Sequence, residues 1–235
     1  MDSIYDTLMD LPLFRGVSRE RIQQIAGTTR LHFLKYLAGE NIVMPAQACT
    51  HIKLIISGHV RSAISNVGNR FTVSQTLTAP DVIAPEFLFG RSTHYPCTAT
   101  AIDTVGILQI DKNDYLKILV SDHVFLYNFL NILSMNAQKG VDGILSFTTG
   151  SIDERLAYWI IALTQSSGTD ITLTCRQRDL NQLFGVQRSS FIATLNSMKE
   201  RGYIDYEPGV IHVKDRASLF KLLHTHDDEP TQAHR

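Results

Sequence analysis

The sequence lacks most of what a redox centre, a secreted protein or a membrane protein needs. Cys49, Cys97 and Cys175 are its only cysteines, odd in number and far apart, with no C-x-x-C pair. That usage suggests reduced thiols in a cytoplasm, and it offers no clustered thiolates for an iron–sulfur centre. No apolar run is long enough to span a bilayer; the longest, around Phe125 to Met135, is interrupted by asparagines. The opening MDSIYDTLMDL carries acids and no basic segment, so no signal peptide is expected. Neither sign of charge predominates, with a formal net charge of −1 over 235 residues. No Ser/His/Asp or Cys/His pair stands in a recognisable motif, no phosphate-binding glycine loop appears, and the acids are scattered, so an enzyme is not expected. There is no internal repeat and no low-complexity tract.

What is present centres on Thr174 to Ile204, TCRQRDLNQLFGVQRSSFIATLNSMKERGYI. Leu180, Leu183 and Phe184 share one helical face, and Gly185 then breaks the pattern where a helix C-terminus favours a left-handed residue. The apolar period restarts at Phe191, Leu195 and Met198 and stops at Gly202. Two amphipathic helices joined by a short glycine-containing turn make a helix-turn-helix. The second helix, preceded by Gln187, turns a polar strip outward: Arg188, Ser189, Ser190, Ala193, Asn196 and Lys199. Short side chains beside an arginine let a helix backbone approach DNA, where arginine bonds two acceptors of guanine. Between 174 and 202, Arg176, Arg178, Arg188, Lys199 and Arg201 outnumber Asp179 and Glu200. Binding needs such a local basic face, whatever the total charge. An ordinary helical hairpin has the same apolar spacing. The residues that follow decide: Ile204-Asp205-Tyr206, then Glu207-Pro208-Gly209, then Val210-Ile211-His212-Val213 read as strand, turn, strand, the hairpin of a winged helix. The expectation is DNA binding.

The length suits two domains. Residues 3–27 are predicted helical. From about 30 to 110 the texture is short strands rich in β-branched and aromatic residues: Leu31–Tyr36, Asn41–Met44, Ile52–Ser57, Val60–Ser65, Phe71–Thr76, Cys97–Ala101 and Val105–Ile110. Gly39, Gly58, Gly68 and Gly90 stand between them, which implies an antiparallel roll or barrel. Helices are predicted over Lys112–Leu119, from Asp122 to about Ser146, and over Glu154–Leu163 with Ser151 or Asp153 as its cap. A loop covers 165–170, and Ile171–Leu173 is the first strand of the winged domain. In the long helix Phe129, Leu133, Ala137, Val141 and Ile144 keep close to the helical period and predict the seam of a parallel homodimer, with Ala137 and Gly140 small enough for close approach.

This order resembles the Crp/Fnr family of bacterial transcription regulators over about residues 10 to 220. The resemblance is carried by LPLFRGVSRE, LAGENIVMPAQACTHIKLIISGHV, SIDERLAYWI and DLNQLFGVQRSSFIATLNSMKERGYI. It implies an α+β chain: a cyclic-nucleotide-binding-like antiparallel β-roll (1–120), a long dimerisation helix (121–149), a winged helix-turn-helix (150–226) and a disordered tail (227–235). It implies a cytoplasmic homodimer on double-stranded DNA carrying an inverted repeat, with RNA polymerase as a further partner of an activator, and no membrane. By family analogy base reading falls on Arg188, with Ser189 and Ala193 beside it, and phosphate contact on Arg176, Gln177 and Ser190.

The departures from the family bear on the effector. Cyclic-nucleotide-binding members hold the phosphate with a Gly-Glu and an Arg-Ser pair, and these positions read Ala84-Pro85 and Tyr95-Pro96. Proline donates no amide hydrogen and tyrosine neutralises no phosphate. A Thr-Ser pair that reaches the base reads Gly140-Val141. The implied pocket, Ala84, Pro85, Glu86, Tyr95, Pro96, Cys97, Gly140 and Val141, is therefore expected not to take cyclic AMP. The IAPEFLF…P pattern looks like the regulators of the hybrid-cluster protein in anaerobes, which are associated with nitrosative stress and haem. Haem is thus one candidate cofactor, with His94 and His123, then Met135 or Cys97, as candidate axial ligands. A degenerate roll serving only protein interaction, or working without an effector, is the alternative.

Overall fold

Pro12 and Gly16 divide the expected N-terminal helix. The structure, a computed structural model, describes residues 4–145, 147, 150–213 and 216–224, so the expected tail lies outside the described residues. Helix α1 is Ile4–Asp10, Pro12–Phe14 is a 3-10 turn, and α2 is Arg19–Thr28. Gly16, at φ +77°, turns the chain between them. Ser18 caps α2 by accepting the Arg21 N–H.

The strands follow the expected order with small shifts: β1 Leu31–Tyr36, β2 Asn41–Val43, β3 His51–Ser57, β4 His59–Ser65, β5 Phe71–Thr78, β6 Asp81–Val82, β7 Cys97–Ala101 and β8 Val105–Asp111. Then come α3 Lys112–Ser121, α4 His123–Leu145, α5 Ile152–Leu163, β9 Thr169–Cys175, α6 Gln177–Phe184, α7 Arg188–Glu200, β10 Asp205–Glu207, β11 Val210–Val213 and α8 Arg216–His224. Helix α5 starts two residues before the expected Glu154. Ser151, rather than Asp153, is its cap, in a reciprocal capping box with Glu154. Among the described residues no single helix is long and apolar enough to cross a membrane.

Two compact units emerge, one of 1–64 with 76–137, the other of 65–75 with 138–235. This differs from a division at 120 and 149: α4 is shared between the units, and the β4–β5 turn belongs with the C-terminal one. In the first unit an antiparallel sheet runs β1-β8-β3-β6, and β7 lies between β4 and β2. Ile52, Leu54, Leu108 and Ile110 are at most 1% exposed and belong to one core with Phe14, Tyr115 and Phe125. Burying each such side chain is worth about 1.5–3 kcal/mol.

In the second unit the strand order is β10-β11-β9 and then β5, whose first half, Phe71–Gln75, belongs here. Trp159 lies 5.0 Å from the Phe71 ring and 5.5 Å from Phe184, and Phe184 stacks 5.7 Å from Phe191. Gln75 is buried and its side-chain oxygen accepts the Gln165 N–H at 2.8 Å. A Cβ on Gly168 would stand 2.0 Å from that oxygen, so a side chain there would have to displace the Gln75 amide.

Candidate DNA interface and effector pocket

The helix-turn-helix is built as the apolar spacing predicts. Leu180 and Phe184 of α6 and Phe191, Leu195 and Met198 of α7 are buried, whereas Leu183 is half exposed. Gly185 adopts φ +64° as the C-cap of α6, its N–H reaching the Asn181 and Gln182 carbonyls, and the Val186 N–H also bonds Asn181 O. This left-handed residue sets the angle at which α7 leaves. Arg155 of α5 holds the same corner. Its guanidinium donates to Phe184 O at 2.7 Å and lies over the Phe184 ring. No motif marks Arg155, because its partner is a backbone carbonyl 29 residues away.

Gln187, Arg188, Ser189, Ser190, Ala193 and Asn196 are all exposed on α7 or at its cap, and Arg176 is exposed at the cap of α6. The structure thus leaves the predicted base-reading residues, with Ser190, accessible on α7, and Arg176 accessible at the cap of α6. No side chain caps the start of α7, so its first amides carry the partial positive charge that favours phosphate. Two assignments shift. Gln177 is only partly exposed, with its side-chain nitrogen buried. Lys199 is held by the wing, pairing with Asp205 at 3.1 Å and donating to Tyr206 O at 3.3 Å. The wing itself is β10 against β11, with β11 on β9 and the Cys175 N–H closing on Gly209 O.

The positions that the resemblance pairs with phosphate-binding residues, Ala84-Pro85 and Tyr95-Pro96, form a tight turn and a buried tyrosine. Ala84 sits at φ +44°, ψ +53°, a left-handed conformation that an L-residue other than glycine adopts at a cost of about 1–2 kcal/mol. Pro85 opens the following 3-10 turn, Pro85–Phe87, at its first position. Glu86 is exposed and accepts from Asn136 of α4. Tyr95 is 2% exposed, and its hydroxyl donates to His51 O at 3.1 Å. Burial pushes its pKa up, so it stays neutral. Cys97 is equally buried; desolvation raises its pKa while a hydrogen bond with Ser62 works against that. Pro96 is partly exposed, and Gly140 and Val141 are exposed on α4. One inner-face residue carries no motif. Lys53 lies in the apolar stretch Ile52-Lys53-Leu54-Ile55, and a lysine in the middle of such a strand is the signal by which it could have been found.

Along α4 the exposed apolar line is not the predicted one. Phe129 is 4% exposed and packs inside the first unit, its ring 5.5 Å from Tyr115 and 5.9 Å from Phe89, and Leu133 packs partly on the same core. The outward line is Tyr127, Leu130, Ser134, Ala137, Val141 and Ile144. Its spacing alternates three and four, the heptad rhythm of a two-helix seam. Phe129, buried in the first unit, and Leu133, partly buried, therefore do not stand on the outward line, where Leu130 and Ser134 do.

The candidate haem donors do not gather. His94 and His123 are exposed, Met135 is half exposed, and Cys97 is a buried thiol whose raised pKa disfavours the thiolate that iron would need. This donor set does not fit an axial ligand in an apolar pocket.

Comparison with known proteins agrees with this geometry. A cyclic nucleotide-binding domain matches residues 33–122, and a Crp-like helix-turn-helix domain matches residues 154–222. The cyclic AMP receptor protein of Thermus thermophilus is 23% identical over 219 residues, covering 90% of this chain and 96% of that protein. Among solved structures, the Thermus thermophilus catabolite activator protein shares the fold with a TM-score of 0.51 at 20% identity, covering 91% of this chain and 99% of that one. A crp/fnr-family regulator from Eubacterium rectale does so with a TM-score of 0.50 at 19% identity, covering 94% and 100%.

Proposed function

The chain belongs to the Crp/Fnr family of DNA-binding transcription regulators, and from that premise we propose that it works in the cytoplasm as a homodimer, reading an inverted-repeat operator under the control of an effector other than cyclic AMP. The observation that carries the effector half is the pair Pro85 and Tyr95: one removes an amide donor, the other fills the roll with a buried, neutral phenol where a guanidinium would be needed. The exposed strip from Arg188 to Asn196 supports the DNA half. Arg188 is the one long basic side chain at the start of α7, so direct base reading falls on it, with more left to DNA shape and the wing. The relative's name says that it is a cyclic AMP receptor; the residues of this pocket argue against the same ligand here.

A seam along Leu130, Ala137, Val141 and Ile144 supports two parallel α4 helices, and a symmetric dimer requires half-site centres about 10–10.5 base pairs, or a multiple, apart. The test is a mobility shift of the full-length protein on genomic promoter fragments, with and without cyclic AMP. Retardation that cyclic AMP leaves unchanged is the expected result. Absence of retardation on every fragment would favour a roll that serves only protein interaction, and a micromolar cyclic AMP response would overturn the effector reading. An absorption spectrum of the same preparation tests haem, and the donor placement predicts no Soret band.

A further inference from the structure

The inner face of the roll holds a cation that no described carboxylate pairs. Ile52, Lys53, Leu54 and Ile55 of β3 are all buried, Lys53 at 8% exposure. Antiparallel register sets Lys53 opposite Gln109 of β8, and His32 of β1 opposite the same residue from the other side. Opposed residues share a face of the sheet. The inner face across the roll is marked by Val60, Ser62, Cys97, Ala99 and Ala101, each at most 6% exposed. The Cys49 thiol and the Tyr95 hydroxyl both donate to the His51 carbonyl, at 3.8 and 3.1 Å, and Lys53 lies near enough to act on the Cys49 thiol.

A lysine ammonium has three donors. Lys53 directs one to the Gln109 side-chain oxygen at 2.7 Å. Among the described residues no carboxylate lies within ion-pair distance of it. The acids around it have other bonds: Asp81 accepts the Val82 N–H, Asp111 caps α3 through the Asn113 N–H, and Glu86 accepts from Asn136. An ammonium taken out of water with no counter-charge is costly, and burial accordingly lowers its pKa. Packing alone does not call for a charge at this position, since methionine would fill it without that cost. A buried charge with open donors in a ligand-binding fold marks what the ligand must bring.

We propose that the effector of this roll is a small monoanion of carboxylate chemistry, paired through its oxygens with Lys53 and bordered by Gln109 and Tyr95. The proposal rests on the reading of the roll as an effector-controlled sensor and names the effector's class. One ammonium matches one negative charge. The bulk of Tyr95 favours a ligand much smaller than a nucleotide.

The experiment is thermal unfolding of the full-length protein, titrated with sodium acetate, lactate and benzoate at constant ionic strength, with acetamide, lactamide and benzamide as uncharged counterparts. At least one carboxylate should raise the midpoint saturably, and its amide should not. Lys53→Met should weaken half-saturation about tenfold or more, as expected when one charge-assisted bond is removed, and should leave the unliganded midpoint unchanged or higher. Gln109→Glu places a carboxylate beside the ammonium permanently, so it should raise the unliganded midpoint and abolish the response. No shift of the wild type with any of the three carboxylates would overturn the proposal. So would a half-saturation left unchanged in Lys53→Met, or unliganded midpoints that fall steeply in both variants, which would make Lys53–Gln109 a structural pair. Mobility shifts on the same preparations keep the two readings apart. A protein that retards promoter DNA but ignores carboxylates overturns this inference alone, whereas a response to cyclic AMP overturns the reading on which it rests.

Discussion

Arg188, Ser189 and Asn196 stand in solvent on one helix, whereas Tyr95, Cys97 and Lys53 are buried at positions that only the folded roll brings together. The reader's side chains need little from their neighbours beyond a helix held at the right angle, which Gly185 and Arg155 provide. The sensor's side chains depend on register, because Lys53 meets Gln109 across 56 residues of sequence. Substitution should therefore behave differently in the two regions. Changes on α7 should alter binding and leave folding intact, while changes inside the roll should move stability and binding together.

The largest effect should come where α4 serves both demands. Its two apolar faces differ: Phe129 belongs to the core, and Leu130 and Val141 face outward. Val141→Glu, or Leu130→Glu, would bury a charge at the proposed seam at a cost of several kcal/mol. Sedimentation should then show monomers with an unchanged unfolding midpoint. Phe129→Ala should instead cost about 3–5 kcal/mol of stability with association intact. A dimer that survives Val141→Glu would place the interface elsewhere.

Next in size is the proposed loss of cyclic AMP binding. Hydrogen bonds to charged groups are worth about 1.5–3 kcal/mol each, so a pocket with Pro85 and Tyr95 in place of two such donors should bind cyclic AMP more weakly by about a hundredfold or more than one that keeps them. Calorimetry on the full chain should detect no micromolar binding. On the reader, Arg188→Ala should cost about 1–3 kcal/mol and relax preference at one base pair per half-site. Arg176→Ala should weaken all sequences alike and reduce the salt slope by about one for each phosphate it no longer neutralises. If Arg188→Ala weakened operator and random DNA equally, base reading would move to Asn196 or the wing.

The same contrast explains how much of the molecule is legible in its sequence. Strands β1, β7 and β11 keep the predicted bounds, and the helix-turn-helix emerges where its apolar period places it, because period and glycine are local signals. The two-residue β6 and α8 carry no such signal. Periodicity also does not say which of two apolar lines on α4 faces outward, since that depends on where the roll packs; by spacing alone the line through Phe129 and Leu133 looks as good a seam as the one through Leu130. The reader's side chains, adjacent along one helix, can be named from spacing. For the roll, family analogy points to Tyr95 and Pro85 but passes over Lys53 and Gln109, whose pairing is a fact of register.

The smallest effect concerns the three thiols, and it tests whether the roll is as closed as its burial implies. Desolvation, the leading cause at each site, raises the pKa of Cys49, Cys97 and Cys175 above the ordinary thiol value. A raised pKa means that the protonated form dominates near neutral pH, and the thiolate is the nucleophile. Iodoacetamide should therefore label native protein far more slowly than unfolded protein, with the rate rising only as the pH climbs past the usual thiol range. Cys175 belongs to the reader and Cys49 and Cys97 to the sensor, so peptide-level mass spectrometry reports on both regions in one sample. Should Cys97 react at neutral pH as fast as an unfolded thiol while Cys175 stays protected, the roll would be opening in solution. Its interior could then not be treated as the fixed, dry environment that makes an unpaired Lys53 costly.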